Sequence, residues 1–220
     1  MRCPVDRACG PTPLWKGARQ QVSRRGNDGG SCGGKLRYSH VRKLTHEELV
    51  HLRLTPDEAR HALRHPIRLI LHDIRSLYNV GSIFRTADAF AVEHVYLTGF
   101  TPSPPRPEIS KTALGAEQVV PHSYHPNTCD LLHKLRDEGC TIAAAEIADG
   151  SRRAESLAPA EFPLVLILGN ELTGVPDEVV QLCDLALEIP MYGTKHSLNV
   201  SVATGVLLSS ITARYRETHR

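Results

Sequence analysis

A chain of 220 residues has room for one domain of about 170 residues plus an extension, enough to enclose a full apolar core. No apolar run approaches the roughly 20 residues that a membrane span requires, so no membrane partner is expected. The net charge of +2 conceals an asymmetry: residues 1–43 carry ten Lys and Arg against Asp6 and Asp28, about +8, which leaves about −6 for the remainder.

The first 43 residues are also rich in Gly and Pro and lack apolar periodicity. A segment of this kind buries too little surface to offset its ordering entropy, and residues 1–43 read as a disordered basic tail. Its charge suits nucleic-acid phosphates; a solubilising tail or an over-long start are the alternatives. It is Arg-rich and acid-poor like a transit peptide but lacks the amphipathic pattern of one, and the expected location is cytoplasmic. The six cysteines, Cys3, Cys9, Cys32, Cys129, Cys140 and Cys183, form no Cys-x-x-Cys pair. They read as reduced thiols, neither a disulfide framework nor a metal site.

Residues 44–66 form a short helical lead-in. Thr45-His-Glu-Glu48 and Thr55-Pro56-Asp57-Glu58 each place a hydroxyl N-cap three residues ahead of a Glu, and the second adds Pro at the first helical position. His61 and His65 are spaced like one turn of helix, but no third ligand is near and Pro66 ends the pattern. A surface helix is expected there, and no metal.

From Ile67 to the C-terminus, residues 67–220, strand and helix patterns alternate. Leu69–Leu71, Val95–Leu97, Val119–Val120, Thr141–Ala144, Leu164–Leu168 and Leu185–Ile189 are mostly short continuous apolar runs. They predict an α/β domain with a buried parallel sheet and helices on both faces. Between the runs, Val80, Ile83, Phe84, Ala87 and Ala91 share a helical face, as do Leu131, Leu132 and Leu135. The last helix is expected to be lined by Val200, Ala203, Val206, Leu207 and Ser210. Gly205 within it costs about 1 kcal/mol against Ala, which suggests a close approach of another backbone.

Small polar residues follow the apolar runs at three places, where an α/β sheet presents backbone groups to a ligand. The first is Asn79-Val-Gly81-Ser82-Ile-Phe-Arg85-Thr86. A helix N-terminus with an Arg one and a half turns in suits an anion. The structural alternatives are a helix cap at Asn79, close packing at Gly81 and an Arg85–Asp88 ion pair. The second is Leu168-Gly-Asn-Glu171-Leu-Thr-Gly174-Val, and the third runs from Ile189-Pro-Met191 to Ser197-Leu-Asn199-Val-Ser201.

In this order, and with Thr112-Ala-Leu-Gly-Ala116 between the first and second, these segments resemble the SPOUT class of S-adenosylmethionine-dependent RNA methyltransferases, and within it the SpoU or TrmH-like ribose 2′-O-methyltransferase family. The resemblance covers roughly residues 67–215. It implies a SPOUT fold with a C-terminal trefoil knot, an exception to the usual unknotted topology. It further implies S-adenosyl-L-methionine held by backbone groups of Gly169, Ile189 and Leu198 with Leu168 and Met191 beside them, a homodimer, and tRNA or rRNA as substrate. Arg85 would bind a phosphate and stabilise the developing alkoxide, since a guanidinium rarely deprotonates. Asn79, Glu171, Ser197 and Asn199 would line the site; for Glu171 and Asn199 the alternative is capping. The second segment reads Glu-Leu-Thr-Gly-Val where many relatives have Glu-Gly-x-Gly-Leu, and His196 precedes Ser197, departures that bear on substrate choice. A non-catalytic RNA-binding or ribosome-assembly factor on the same fold, or an ordinary nucleotide-binding α/β enzyme, are the competing classes.

Overall fold

The computed structural model describes residues 42–219; the expected basic tail lies, up to residue 41, outside them. Two compact units divide the chain, Met1–Ala62 and Leu63–Arg220. In the first, α1 (His46–Leu52) and α2 (Pro56–His61) are each opened by a complete capping box, from Thr45 to Glu48 and from Thr55 to Glu58. His61 is the last residue of α2, whereas His65 opens the first strand and points its Nδ1 at the Phe90 carbonyl at 2.9 Å. The expected one-turn pairing of the two histidines on a helix is therefore not formed.

The second unit is built on six parallel strands: β1 (His65–His72), β2 (Val92–Thr98), β3 (His122–His125), β4 (Thr141–Ala145), β5 (Leu164–Leu168) and β6 (Leu185–Leu187), in the order β3-β2-β1-β5-β4-β6. The central strands are apolar on both faces because both are covered. Leu164, Leu166 and Leu168 of β5 join one core cluster and Val165 and Ile167 the other. The first cluster receives α3 (Leu77–Ala89), α4 (Pro107–Ala113) and α7 (Val200–Thr218). Leu131, Leu132 and Leu135 of α5 (Thr128–Asp137) and Val179 of α6 (Asp177–Val180) close the opposite face.

Four local expectations are corrected. The third strand is His122–His125, not Val119–Val120: residues 116–118 form a 3-10 turn and Val120 inserts into the core. The true strand is an edge, paired only with β2, and its polar composition hid it from an apolar-run reading. The sixth strand stops at Leu187. Helix α3 ends at Ala89, and Ala91 turns into the left-handed region at φ 49°. On α7 the buried face is Val200, Thr204, Leu207, Leu208, Ile211 and Thr212, rotated from the expected stripe, with Val206 42% exposed.

Glycines separate into tight and free. A Cβ on Gly205 would meet nothing within 4 Å, so among the described residues no backbone approaches closely there. A Cβ on Gly81 would collide with the Ile109 carbonyl and Thr112 Oγ1. That glycine is what allows α4 to lie against α3, and Thr112 secures the contact by donating to the Tyr78 carbonyl at 3.1 Å.

Candidate active site

The chain leaves β1 toward β2 and β3 on one side, and β5 lies on the other side of β1 next to β4. Loops that follow β1 and β5 therefore diverge, and the crevice between them is where a parallel α/β sheet accepts ligands. Asn170, just beyond β5, bridges that crevice: its Nδ2 donates to the Asp73 carbonyl at 2.7 Å, and its Oδ1 accepts from the amides of Leu172 and Thr173 at 2.8 and 3.4 Å.

The bridge aims Glu171 at the start of α3. Its carboxylate accepts from the Arg75 amide at 3.0 Å, the Ser76 amide at 3.2 Å and Asn79 Nδ2 at 2.9 Å. Burial raises the Glu171 pKa, but the donors from Arg75, Asn79 and Ser76 outweigh it and hold the carboxyl below its ordinary value. Asn199 completes the group by donating from Nδ2 to Asn79 Oδ1 at 3.2 Å. Asn199 also caps α7, its Oδ1 accepting from the Ser201 amide at 3.0 Å and the Ser201 hydroxyl at 2.6 Å. One residue from each of the three sequence segments thus meets in a single hydrogen-bonded chain. The capping reading of Glu171 and Asn199 holds at the same time, because capping is how they are placed. The cap of α3 is Ser76 rather than Asn79, its side chain accepting from the Asn79 amide at 3.3 Å.

Gly169 is buried at the foot of this loop, and a Cβ there would strike the backbone of Gly174 and Val175. The residue is required so that the 170–174 turn can fold back, with reciprocal Asn170–Gly174 amide bonds of 3.0 and 2.9 Å. The space its missing side chain leaves is taken by the chain itself. Glu146, at the end of β4, pins the far side by accepting from the Val175 amide at 3.2 Å.

A recess of about 330 Å³ opens beyond β4 and β6, walled by Ile147, Glu188, Ile189, Pro190, Met191 and residues 193–196. It brings together Ile189 and Met191 of the expected cofactor set. Leu168 is 1% exposed with its side chain in the core, leaving only its backbone for a ligand; Leu198 is 40% exposed. Ser197 is exposed and joins no hydrogen bond of the Asn79–Glu171–Asn199 chain. Arg85 is exposed on the third turn of α3, and among the described residues it forms no ion pair with Asp88 or any other group. Burial raises the Asp88 pKa and the charge of Arg64 opposes it.

Asp73, Arg75, Ser76, Glu146 and Asn170 belong to this site but escaped the sequence reading. The one available signal was position: Asp73 and Glu146 directly follow strand runs.

A parallel α/β sheet with its polar side chains gathered at the carboxyl ends of the strands, across a switch in strand order, defines a ligand-binding domain of the doubly wound class. Within that class, the chain belongs to the SpoU rRNA methylase family, whose model matches residues 66–209. It is 33% identical over 144 residues to the 23S rRNA (guanosine-2′-O-)-methyltransferase RlmB of Neisseria meningitidis, covering 66% of this chain and 57% of the relative. With RlmB of Pseudomonas putida it shares 34% over 144 residues, 65% of this chain and 57% of the relative. The chain thus spans under three fifths of the length of these relatives. The crystal structure of the A. aeolicus TrmH/SpoU tRNA modifying enzyme superposes with a TM-score of 0.65 at 27% identity, covering 74% of this chain and 83% of that one. An AdoMet-bound rRNA methyltransferase from Sinorhizobium meliloti superposes with a TM-score of 0.63 at 30% identity, covering 73% of this chain and 61% of that one.

Proposed function

We propose that this protein is an S-adenosyl-L-methionine-dependent methyltransferase acting on a ribose 2′-hydroxyl of tRNA or rRNA. The observation that carries the reading is the Asn199–Asn79–Glu171 chain of hydrogen bonds at the mouth of the sheet, where the three separated segments converge. The names of the relatives support the same chemistry.

The 330 Å³ recess suits the cofactor: its volume lies in the range of small-molecule sites, and it combines Ile147, Ile189 and Met191 with the polar Glu188, Thr194 and Lys195. Backbone groups of Gly169, Ile189 and Leu198 would hold it, with Leu168 contributing main chain only. When bound it supplies an electrophilic methyl group. We include in the proposal the C-terminal trefoil knot of this family, a cytoplasmic location and a homodimer. Val202 and Val206, 52% and 42% exposed on α7, support an apolar contact between copies.

The side chains divide the remaining work. Glu171, bound by three donors that favour the carboxylate, positions the 75–79 segment and is not the proton acceptor. Arg85, exposed and without an ion pair among the described residues, binds an RNA phosphate and stabilises negative charge growing on the attacking oxygen. Asn79 and Asn199 fix the orientation of the ribose relative to α3 and α7.

Calorimetric titration with S-adenosylmethionine, followed by transfer of labelled methyl into RNA and nucleoside mass spectrometry, tests the proposal. A 2′-O-methylated nucleoside is the expected product. A methylated base would overturn the ribose assignment. RNA binding without cofactor binding would identify an assembly factor on this fold instead.

A further inference from the structure

The recess of about 330 Å³ beyond β4 and β6 contains a carboxylate that takes no part in the Asn79–Glu171–Asn199 chain. Glu188 directly follows β6 and stands half-buried in the recess wall, beside Ile147, Ile189, Pro190 and Met191. Its position is fixed at two points. The Glu188 amide donates to the Arg152 carbonyl at 3.0 Å, and the Ser151 hydroxyl donates to Glu188 Oε2 at 2.6 Å. Residues 151–152 are themselves held along β6: the Arg152 amide donates to the Ala186 carbonyl at 3.0 Å, Arg152 bridges Leu187, and its guanidinium pairs with Glu161.

One oxygen of this oriented carboxylate is left over. Among the described residues Glu188 Oε1 accepts no hydrogen bond, and Glu188 forms no ion pair although Lys195 lines the same recess. Glu146, at the end of the neighbouring strand, differs: its Oε1 accepts from the Ile147 amide and its Oε2 from the Val175 amide, both at 3.2 Å. A charged oxygen with two lone pairs, set beside apolar walls, calls for a ligand that brings hydrogen-bond donors to it.

We propose that Glu188 is a specificity-determining residue for the cofactor, its Oε1 accepting from the 2′- and 3′-hydroxyls of the adenosine ribose. This rests on the cofactor reading of the recess given above and names the side chain that selects a ribonucleoside. The apolar walls suit the flat base, which leaves the sugar to the carboxylate. A vicinal diol offers two O–H donors that converge on one oxygen, whereas the two N–H bonds of the adenine amino group diverge, so only one could reach it. An acidic side chain beyond a strand end serves the same purpose in dinucleotide-binding α/β folds.

Calorimetric titration of the full chain with S-adenosylhomocysteine, its 2′-deoxy and 3′-deoxy counterparts, and S-inosylhomocysteine tests the contact without methyl transfer. The parent is expected to bind each deoxy compound about tenfold or more weakly than S-adenosylhomocysteine, the scale of a hydrogen bond to a charged group. Glu188→Ala should bind S-adenosylhomocysteine more weakly by a similar factor and no longer distinguish it from the deoxy compounds. Glu188→Gln, which keeps the shape of the side chain, should melt like the parent and show reduced discrimination, so a misfolded alanine variant does not decide the test. The contact is overturned if the parent binds the ribo and deoxy compounds equally, or if both variants discriminate between them as the parent does. It is also overturned if the Glu188 variants lose discrimination against S-inosylhomocysteine instead, which would place the carboxylate at the base. Each of these results leaves the cofactor reading intact. Failure of all four compounds to bind would overturn the cofactor reading and the contact together.

Discussion

Asn79 and Glu171, 92 positions apart in the chain, are joined by a hydrogen bond of 2.9 Å from Nδ2 to Oε1. That bond ties the loop after β5 to the first turn of α3, and Asn199 extends it to the cap of α7. On the proposed function, Glu171 contributes position more than acid strength. In a double-mutant cycle of Glu171→Ala and Asn79→Ala, the two activity losses are therefore expected to be strongly non-additive. Single-turnover methylation rates would check this, and simple additivity would mean that the residues act independently.

Arg85 has no partner among the described residues and lies exposed on α3. Arg85→Ala should consequently leave thermal stability within about 0.5 kcal/mol of the parent. It should lower methyl transfer by roughly 10² or more, with S-adenosylmethionine affinity unchanged. Arg85→Lys should also be poor, because a point charge cannot reproduce the planar fork. Retention of most of the activity by the alanine variant would shift the charge-stabilising role elsewhere.

Opposite outcomes are expected at two helical glycines. Gly81→Ala must push against the Ile109 carbonyl and Thr112, and should destabilise the fold by about 2–3 kcal/mol. Gly205→Ala meets open space, and should stabilise α7 by about 0.5–1 kcal/mol through helix propensity. Urea unfolding below the concentration of any self-association would measure both. Gly169→Val is also expected to unfold locally, since the branched side chain would displace the 174–175 backbone; loss of cofactor binding by that variant reports the loop, not a direct contact.

The β2–β3 edge should respond to acid. Burial, reinforced by the positive charges of Arg68, His122 and His125, lowers the His94 pKa from 6.5 to about 4. The unfolded chain therefore takes up a proton that the folded chain refuses between those values. Stability is full above pH 6.5, declines as pH falls toward 4, and then levels with respect to this group. His94 Nε2 meets Ser123 Oγ at 2.9 Å, so His94→Gln keeps a polar partner and should flatten the decline. Denaturant midpoints from pH 7 to 4 would show it; parallel curves for both proteins would place the acid sensitivity on other groups.

The α/β class with a parallel sheet, five of the six strands and the capping boxes of the two leading helices were legible in the sequence. Their causes are local: an apolar run long enough for one strand, or a hydroxyl three residues before a Glu, needs no distant partner. The segments containing Asn79, Glu171 and Asn199 were also legible as polar interruptions after apolar runs. What those residues do to one another was decided by the tertiary structure. Asn79 and Glu171 meet because β5 inserts beside β1, a choice of strand order that no local pattern encodes. The same insertion brought Asp73 to Asn170. The polar edge strand His122–His125 is stabilised by pairing with β2, not by its own composition. Side-chain identity along a short stretch reports local geometry and burial, whereas contacts across tens of residues depend on which strands become neighbours, and that is settled only when the whole sheet closes its core.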